Sequence, residues 1–178
     1  MTADTRVLTV GHSNRDGADF VALLRRHGIG LVADVRTVPR SRRHPQFNRD
    51  NLAASLEDAG IGYRHFKPLG GWRKPRPDSE NEGLTSEGFR GYADHMDTPA
   101  FGRSVEALIA AARERTVAVM CAEANPANCH RSLLADALTV RGIAVAHIVD
   151  ADSPRPHILT PWAETRGTRL IYPFALHP

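Results

Sequence analysis

Apolar residues along this chain fall into short unbroken runs separated by stretches of helical spacing. Arg6-Val-Leu-Thr-Val-Gly11 and Gly30-Leu-Val-Ala-Asp-Val35 are two such runs, and each predicts a buried strand. Between them Asp16 is placed to cap a helix carrying Phe20, Val21, Leu23 and Leu24, which ends near His27-Gly28. Strand, helix and strand within about 30 residues form a βαβ unit, so the two strands are expected to be parallel.

The pattern continues downstream. Asn48 or Asp50 starts a helix with Leu52, Ala53, Leu56 and Ala59, closed by Gly60, and Ile61–Phe66 reads as a third strand. Residues 67–83 hold three prolines and three glycines with little apolar content, which predicts a long functional or mobile loop. Thr85 or Ser86 opens a helix through Phe89, Tyr92 and Met96, and Thr98-Pro99 opens another that buries Val105, Leu108, Ile109 and Ala112. Thr116–Cys121 is the clearest strand. Asn125-Pro126 then opens a helix with Leu133, Leu134, Ala137 and Leu138, which places Cys129, His130 and Arg131 in its first turns. Ile143–Val149 is a fifth strand. Residues 150–178 form a proline-rich tail packed on the domain, with Leu170–Phe174 an edge strand or a cover over the core. The alternation predicts a single three-layer α/β domain over residues 1–178, with a mainly parallel central sheet flanked by helices.

Composition agrees with that picture. The 178 residues are 42% hydrophobic, enough for a core without disulfide or metal staples. Two cysteines are too few for a disulfide framework. No stretch approaches the ~18 apolar residues of a membrane span, and Met1–Arg6 lacks a signal-peptide pattern. A cytoplasmic, reducing location is expected. Net charge is +3 with a pI near 9.2, but the basic residues are clustered. Arg36, Arg40, Arg42, Arg43 and Arg49 precede the acid Asp50, and Arg64, Lys67, Arg73, Lys74 and Arg76 follow in a second run. They read either as solvated loops or as a surface for nucleic acid or another polyanion, with Trp72 or Phe47 placed to stack a base.

In parallel α/β sheets, ligands sit at the carboxyl ends of the strands, and three of those ends carry polar chemistry. Gly11-His12-Ser13-Asn14 offers backbone N–H groups near Ser13 to an anion, or is an ordinary turn. Asp34 interrupts an apolar strand, so it is paired, caps a loop, or faces a site. Arg36, two residues on, is placed to clamp a phosphate or carboxylate, with Pro39 and Ser41 following. The third end is Cys121-Ala-Glu-Ala-Asn-Pro-Ala-Asn-Cys-His-Arg131. A thiol near a helix start, beside His130 and Arg131, gains thiolate character. Such a thiol suits a nucleophile, a metal ligand or an anion cradle, whereas cysteines beside a core also serve as inert hydrophobes. The spacing fits neither a zinc ribbon nor the thiol-to-arginine loop of tyrosine phosphatases.

Taken in order, Thr9-Val-Gly-His-Ser13, Asp34-Val-Arg36 with Pro39 and Ser41, Phe47, Leu69-Gly-Gly71, and Cys121-x-Glu123 to Cys129-His-Arg131 resemble the domain of unknown function 488 family. The resemblance runs from about Val7 to Val149. It implies a compact bacterial-type α/β domain with these motifs gathered around one pocket, and it brings no reaction with it.

Three functional readings follow. In the first, an enzyme acts on a phosphate-bearing ligand such as a nucleotide or nucleic acid. Arg36 and Arg131 hold the anion with Ser13, Ser41, Gly70 and Gly71 around it. Cys129, or Cys121, is the nucleophile, His130 or His12 carries the proton, and Glu123 or Asp34 is the acid/base or orienting carboxylate. In the second, Arg40, Arg42, Arg43, Trp72, Arg73 and Lys74 form a non-catalytic nucleic-acid surface. The third is a metal or redox site on Cys121, Cys129, His130 and His12. No particular cofactor is indicated.

Overall fold

The five apolar runs pair into one sheet in the computed structural model, which describes residues 5–174. Strands β1 (Arg6–Gly11), β2 (Leu31–Asp34), β3 (Gly62–His65), β4 (Val117–Cys121) and β5 (Ala144–Ile148) are parallel. The two-residue strand β6 (Arg155–Pro156) runs antiparallel along β5, giving the order β3-β2-β4-β1-β5-β6. The connections are helical: α1 (Gly17–Arg26), α2 (Arg49–Asp58), α3 (Glu87–Met96), α4 (Pro99–Glu114) and α5 (Arg131–Thr139).

Alternation along the strands builds the three layers. Val7, Ala33, Val117, Val119 and Cys121 point to one face, where they pack with Tyr92, Phe101, Val105, Leu108, Leu133 and Leu134 of α3, α4 and α5. Leu8, Val10, Val32, Ala118 and Met120 point to the other, against Phe20, Leu24, Leu52 and Leu56 of α1 and α2. Each fully buried leucine or phenylalanine contributes about 1.5–3 kcal/mol, so both helix layers are held by burial rather than by helix propensity. The molecule is thus the expected three-layer α/β domain.

Helix starts follow the capping residues. Asp16, Ser86 and Thr98 accept from Ala18 N, Phe89 N and Phe101 N respectively. The start of α5 departs from expectation. Asn125 and Pro126 open a single 3₁₀ turn, Pro126–Asn128, and Cys129 is extended, with φ −135° and ψ 147°. The helix therefore begins at Arg131. Asn125 spends its side chain on Ala127 N, and the extended residue returns the chain to the sheet edge beside Cys121. Neither Cys129 nor His130 lies in the helix, which corrects the sequence reading.

The loop after β3 is fastened to α3. The buried Asp94 carboxylate accepts from Arg76 N, Ser79 Oγ and Asn81 Nδ2, each at 2.7 Å. Tyr92 Oη donates to Leu69 O and His95 Nε2 to Pro68 O. In the C-terminal segment, β7 (Glu164–Arg166) and β8 (Arg169–Ile171) form a separate hairpin. Leu170 and Tyr172 are buried against the α3–α5 layer, and Ile171 between them is buried as well. Of the two expectations for Leu170–Phe174 the cover over the core holds for Leu170 to Tyr172, while Phe174 is exposed, and β6 supplies the edge of the sheet instead; residues 175–178 lie outside the described residues.

Candidate functional site

Register brings the polar strand ends together. Gly11 pairs with Cys121 and Asp34 with Met120, so the ends of β1, β2 and β4 lie side by side at the carboxyl edge. Gly11 is required there by close approach. A Cβ on it would stand 1.8 Å from the carbonyl oxygen of Glu123, whose loop folds across the end of β1.

The two cysteines meet. Cys121 ends β4, Cys129 reaches it from the extended turn, and the free thiols stand 2.8 Å apart, both buried. Cys129 Sγ also lies 3.6 Å from His130 Nδ1 and 3.5 Å from Arg131 N. His130 Nε2 is 3.1 Å from Val35 O. A carbonyl only accepts, so Nε2 carries a hydrogen and Nδ1 faces the sulfur. The Cys121 hydrogen bond, outweighing the cost of burial, and then His130 and Arg131 hold Cys129 well below the ordinary thiol range. Cys121, buried and donating, is pushed up. These opposite shifts favour the thiolate on Cys129 and the thiol on Cys121.

Across the cavity Asp34, wholly buried, takes Arg36 side-on. Arg36 Nε donates to Oδ1 at 3.0 Å and a terminal nitrogen to Oδ2 at 2.7 Å, while Arg36 N and Tyr63 Oη also donate to the carboxylate. His65 Nε2 donates to Arg36 O. The remaining terminal nitrogen lies 3.4 Å from His12 Nε2. His12 donates from Nδ1 to Ser13 O and stacks on Phe47. Burial, with Arg36 beside it, lowers its pKa to about 4, so it is a neutral ring offering a lone pair to Arg36. The guanidinium has five N–H hydrogens and these contacts use three, which leaves two for a ligand.

A cavity of about 430 Å³ joins the two halves, lined by His12, Arg36, Ser41, Cys121, Glu123, Cys129 and His130, with Arg40, Gly71 and Trp72 at its wall. Gly71 presses on the His130 ring, where a Cβ would meet Nδ1 at 3.0 Å. Trp72 stands 83% exposed with φ +58°. A left-handed tryptophan stores about 1–3 kcal/mol of strain.

Three assignments change. Arg131 is 1% exposed and does not line the cavity. It donates to the carbonyls of Glu123 and Ala124 and to Thr9 Oγ1, so it fastens the 122–124 loop rather than clamping an anion. The N–H groups of His12 and Ser13 go to the carbonyls of Cys121 and Ala122, and so are not free for a ligand. Gly70 lies behind the wall, against Thr37. Arg42, Arg43 and Lys74 are exposed outside the cavity, and Arg73 is half-buried with Nε on Gly70 O.

Sequence reasoning passed over Tyr63 and His65, and also a second buried polar cluster. Thr9 Oγ1 is 2.7 Å from His147 Nδ1, and His147 Nε2 is 2.9 Å from His157 Nδ1. His157 Nε2 is 2.7 Å from Asp136 Oδ1. Thr160 and Tyr172 complete the Asp136 shell. Asp136 and His147 are polar interruptions of apolar runs, the one signal that could have found them. Among the described residues no group of three or more His, Cys, Asp or Glu is arranged to hold a metal ion. No described helix is long and apolar enough to cross a membrane.

Fold and site together define a three-layer α/β protein with a buried dithiol at the carboxyl edge of its parallel sheet. The model of one family, the domain of unknown function DUF488, matches residues 17–138, more than half of the chain. The chain belongs to that family. The match takes in Asp34–Arg36 and Cys121–Arg131, and stops short of Gly11–Ser13. No curated protein and no solved structure matches the chain.

Proposed function

We propose that the chain is an enzyme that uses the Cys129 thiolate as a nucleophile on a phosphate-bearing ligand, a nucleotide or a nucleic acid. The observation that carries this reading is one cavity lined by both an activated thiol and an arginine with unused donors. Arg36, oriented by Asp34 and His12, holds the phosphate. His130, fixed through Nε2 to Val35 O, presents Nδ1 3.6 Å from the sulfur, where it takes up the thiol proton. Cys129 Sγ bonds to an electrophilic atom of the ligand, the bond to the leaving group breaks, and that group takes the His130 proton. Glu123, exposed at the same wall, is the carboxylate placed to activate the water that releases the product.

The test is alkylation of Cys129 with iodoacetamide at pH 6 against rising inorganic phosphate and nucleoside monophosphates. Rapid labelling, slowed by these anions in wild type and not in Arg36→Gln, is expected. Labelling indifferent to every phosphate compound contradicts the reading.

A non-catalytic nucleic-acid module is the second reading, favoured by the strained, exposed Trp72 at the same cavity wall as Arg40. It requires salt-dependent binding of single-stranded DNA or RNA that survives Cys129→Ser and fails in Trp72→Ala.

A further inference from the structure

Cys121 makes and breaks no covalent bond in the step above, where it only supports the Cys129 thiolate through its hydrogen bond, yet its geometry is demanding. It is the last residue of β4, its sulfur is 2.8 Å from Cys129 Sγ, and both thiols line the same cavity. An inert packing cysteine needs no partner sulfur. A reacting thiol with a second thiol in contact has a built-in resolving group, since the mixed intermediate finds its next nucleophile without diffusion. The flanking backbone also suits movement of one partner. Cys121 is locked by parallel pairing to Gly11, whereas Cys129 is an extended residue between a 3₁₀ turn and a helix start. Bringing the sulfurs to bonding distance, about 2.05 Å, needs less than about 1 Å of movement.

We propose that Cys129 and Cys121 form a reversible intramolecular disulfide, made by a small hydroperoxide that enters the cavity, and that this oxidation switches the site off. The inference rests on Cys129 being the nucleophile of the proposed function. Cys129 thiolate attacks the distal oxygen of the hydroperoxide. An S–O bond forms, the O–O bond breaks, and the departing alkoxide takes a proton from His130 to leave as an alcohol or water. The Cys121 thiol then attacks the sulfenic sulfur. The S–S bond forms, the S–O bond breaks, and hydroxide leaves with the Cys121 proton as water. The dithiol gives up two electrons and two protons, and the hydroperoxide is reduced. Because the resolving thiol is already in contact, the sulfenic acid is consumed before further oxidation to the irreversible acids. With its sulfur bonded to Cys121, Cys129 has no thiolate to offer a ligand.

The experiment is denaturing mass spectrometry of the reduced full chain after titration with hydrogen peroxide, with a non-reducing peptide map. The expected product is lighter by two hydrogens, carries a Cys121–Cys129 linked peptide, and returns to its starting mass with a dithiol reductant. In Cys121→Ala, given a longer exposure because the supporting hydrogen bond is gone, peroxide should instead give a sulfenic acid on Cys129 that a cyclic diketone traps. A wild-type chain that gains oxygens with no linked peptide, or that stays unmodified, overturns the proposal. Parallel iodoacetamide labelling of the reduced chain keeps the two readings apart. Rapid labelling without disulfide formation overturns the switch alone, whereas slow labelling removes the nucleophile as well.

Discussion

Two buried clusters of histidine and acid sit on either side of Arg131, and they differ in what they leave unsatisfied. In the Asp136 cluster hydrogens run one way: Arg131 to Thr9, Thr9 to His147 Nδ1, His147 Nε2 to His157 Nδ1, and His157 Nε2 to Asp136. Burial works to raise the Asp136 pKa, and its bonds from His157, Thr160 and Tyr172 more than offset this, so it stays ionised. All of these acceptors are taken, Arg131 Nε alone keeps a buried hydrogen without a partner, and none of the residues lines the cavity. In the cysteine cavity, two N–H groups of Arg36 have no partner, and Arg36 and Cys129 both line the open space. A His–Asp pair has the look of catalytic machinery, but closure makes it structural. The incomplete cluster is the one that can take a ligand.

Substitutions can break this contrast, and Arg131→Met should have the largest effect because it touches both sides. It strands the Glu123 and Ala124 carbonyls and Thr9, costing about 3–5 kcal/mol in denaturant unfolding, and it loosens the loop beside both thiols. An unfolding midpoint unchanged in that variant would remove the fastening role. Asp136→Asn should cost about 1.5–3 kcal/mol, because an amide accepts poorly from four donors, while the alkylation rate of Cys129 stays at the wild-type value. A large drop in labelling there would show that the clusters are one functional unit.

Cys129→Ser should reverse the pattern, with about 1 kcal/mol of lost stability and complete loss of the rapid labelling. Acid separates the clusters less. His12 and His147 are both held at about 4, in each case first by burial. Between pH 6.5 and 4 the unfolded chain binds protons that the folded chain refuses, so stability should fall as pH falls through that window. His147→Gln should flatten that slope by the share of one proton, and an unaltered slope would show that His147 does not stay bare. Trp72→Gly should have the smallest effect, a gain of about 1 kcal/mol from released strain. A loss instead would mean that the exposed ring packs on its neighbours.

Much of this was readable beforehand. Unbroken apolar runs marked β1 to β5, and Asp16, Ser86 and Thr98 marked helix starts, because strand burial and capping are local. Asn125-Pro126 misled because the same two residues open a 3₁₀ turn as readily as an α-helix. Where the chain goes afterwards is decided by packing at the sheet edge. Arg131 was assigned to a ligand by its neighbours in sequence, but its guanidinium is taken up by Thr9, 122 positions away, and by the carbonyls of a loop. His157, Asp136 and Tyr172 meet only in space. The contact of Cys121 with Cys129 required the extended turn between them, which no local signal encodes.

The central claim is that Cys129 is a thiolate facing the cavity at neutral pH. Its most direct test is the pH profile of Cys129 alkylation by iodoacetamide, followed residue by residue in the mass spectrum. The account predicts a rate that stays nearly level from pH 8 to 6 and falls only on approach to pH 4. A rate dropping about tenfold per pH unit below 8 would mark an ordinary, protonated thiol and contradict it.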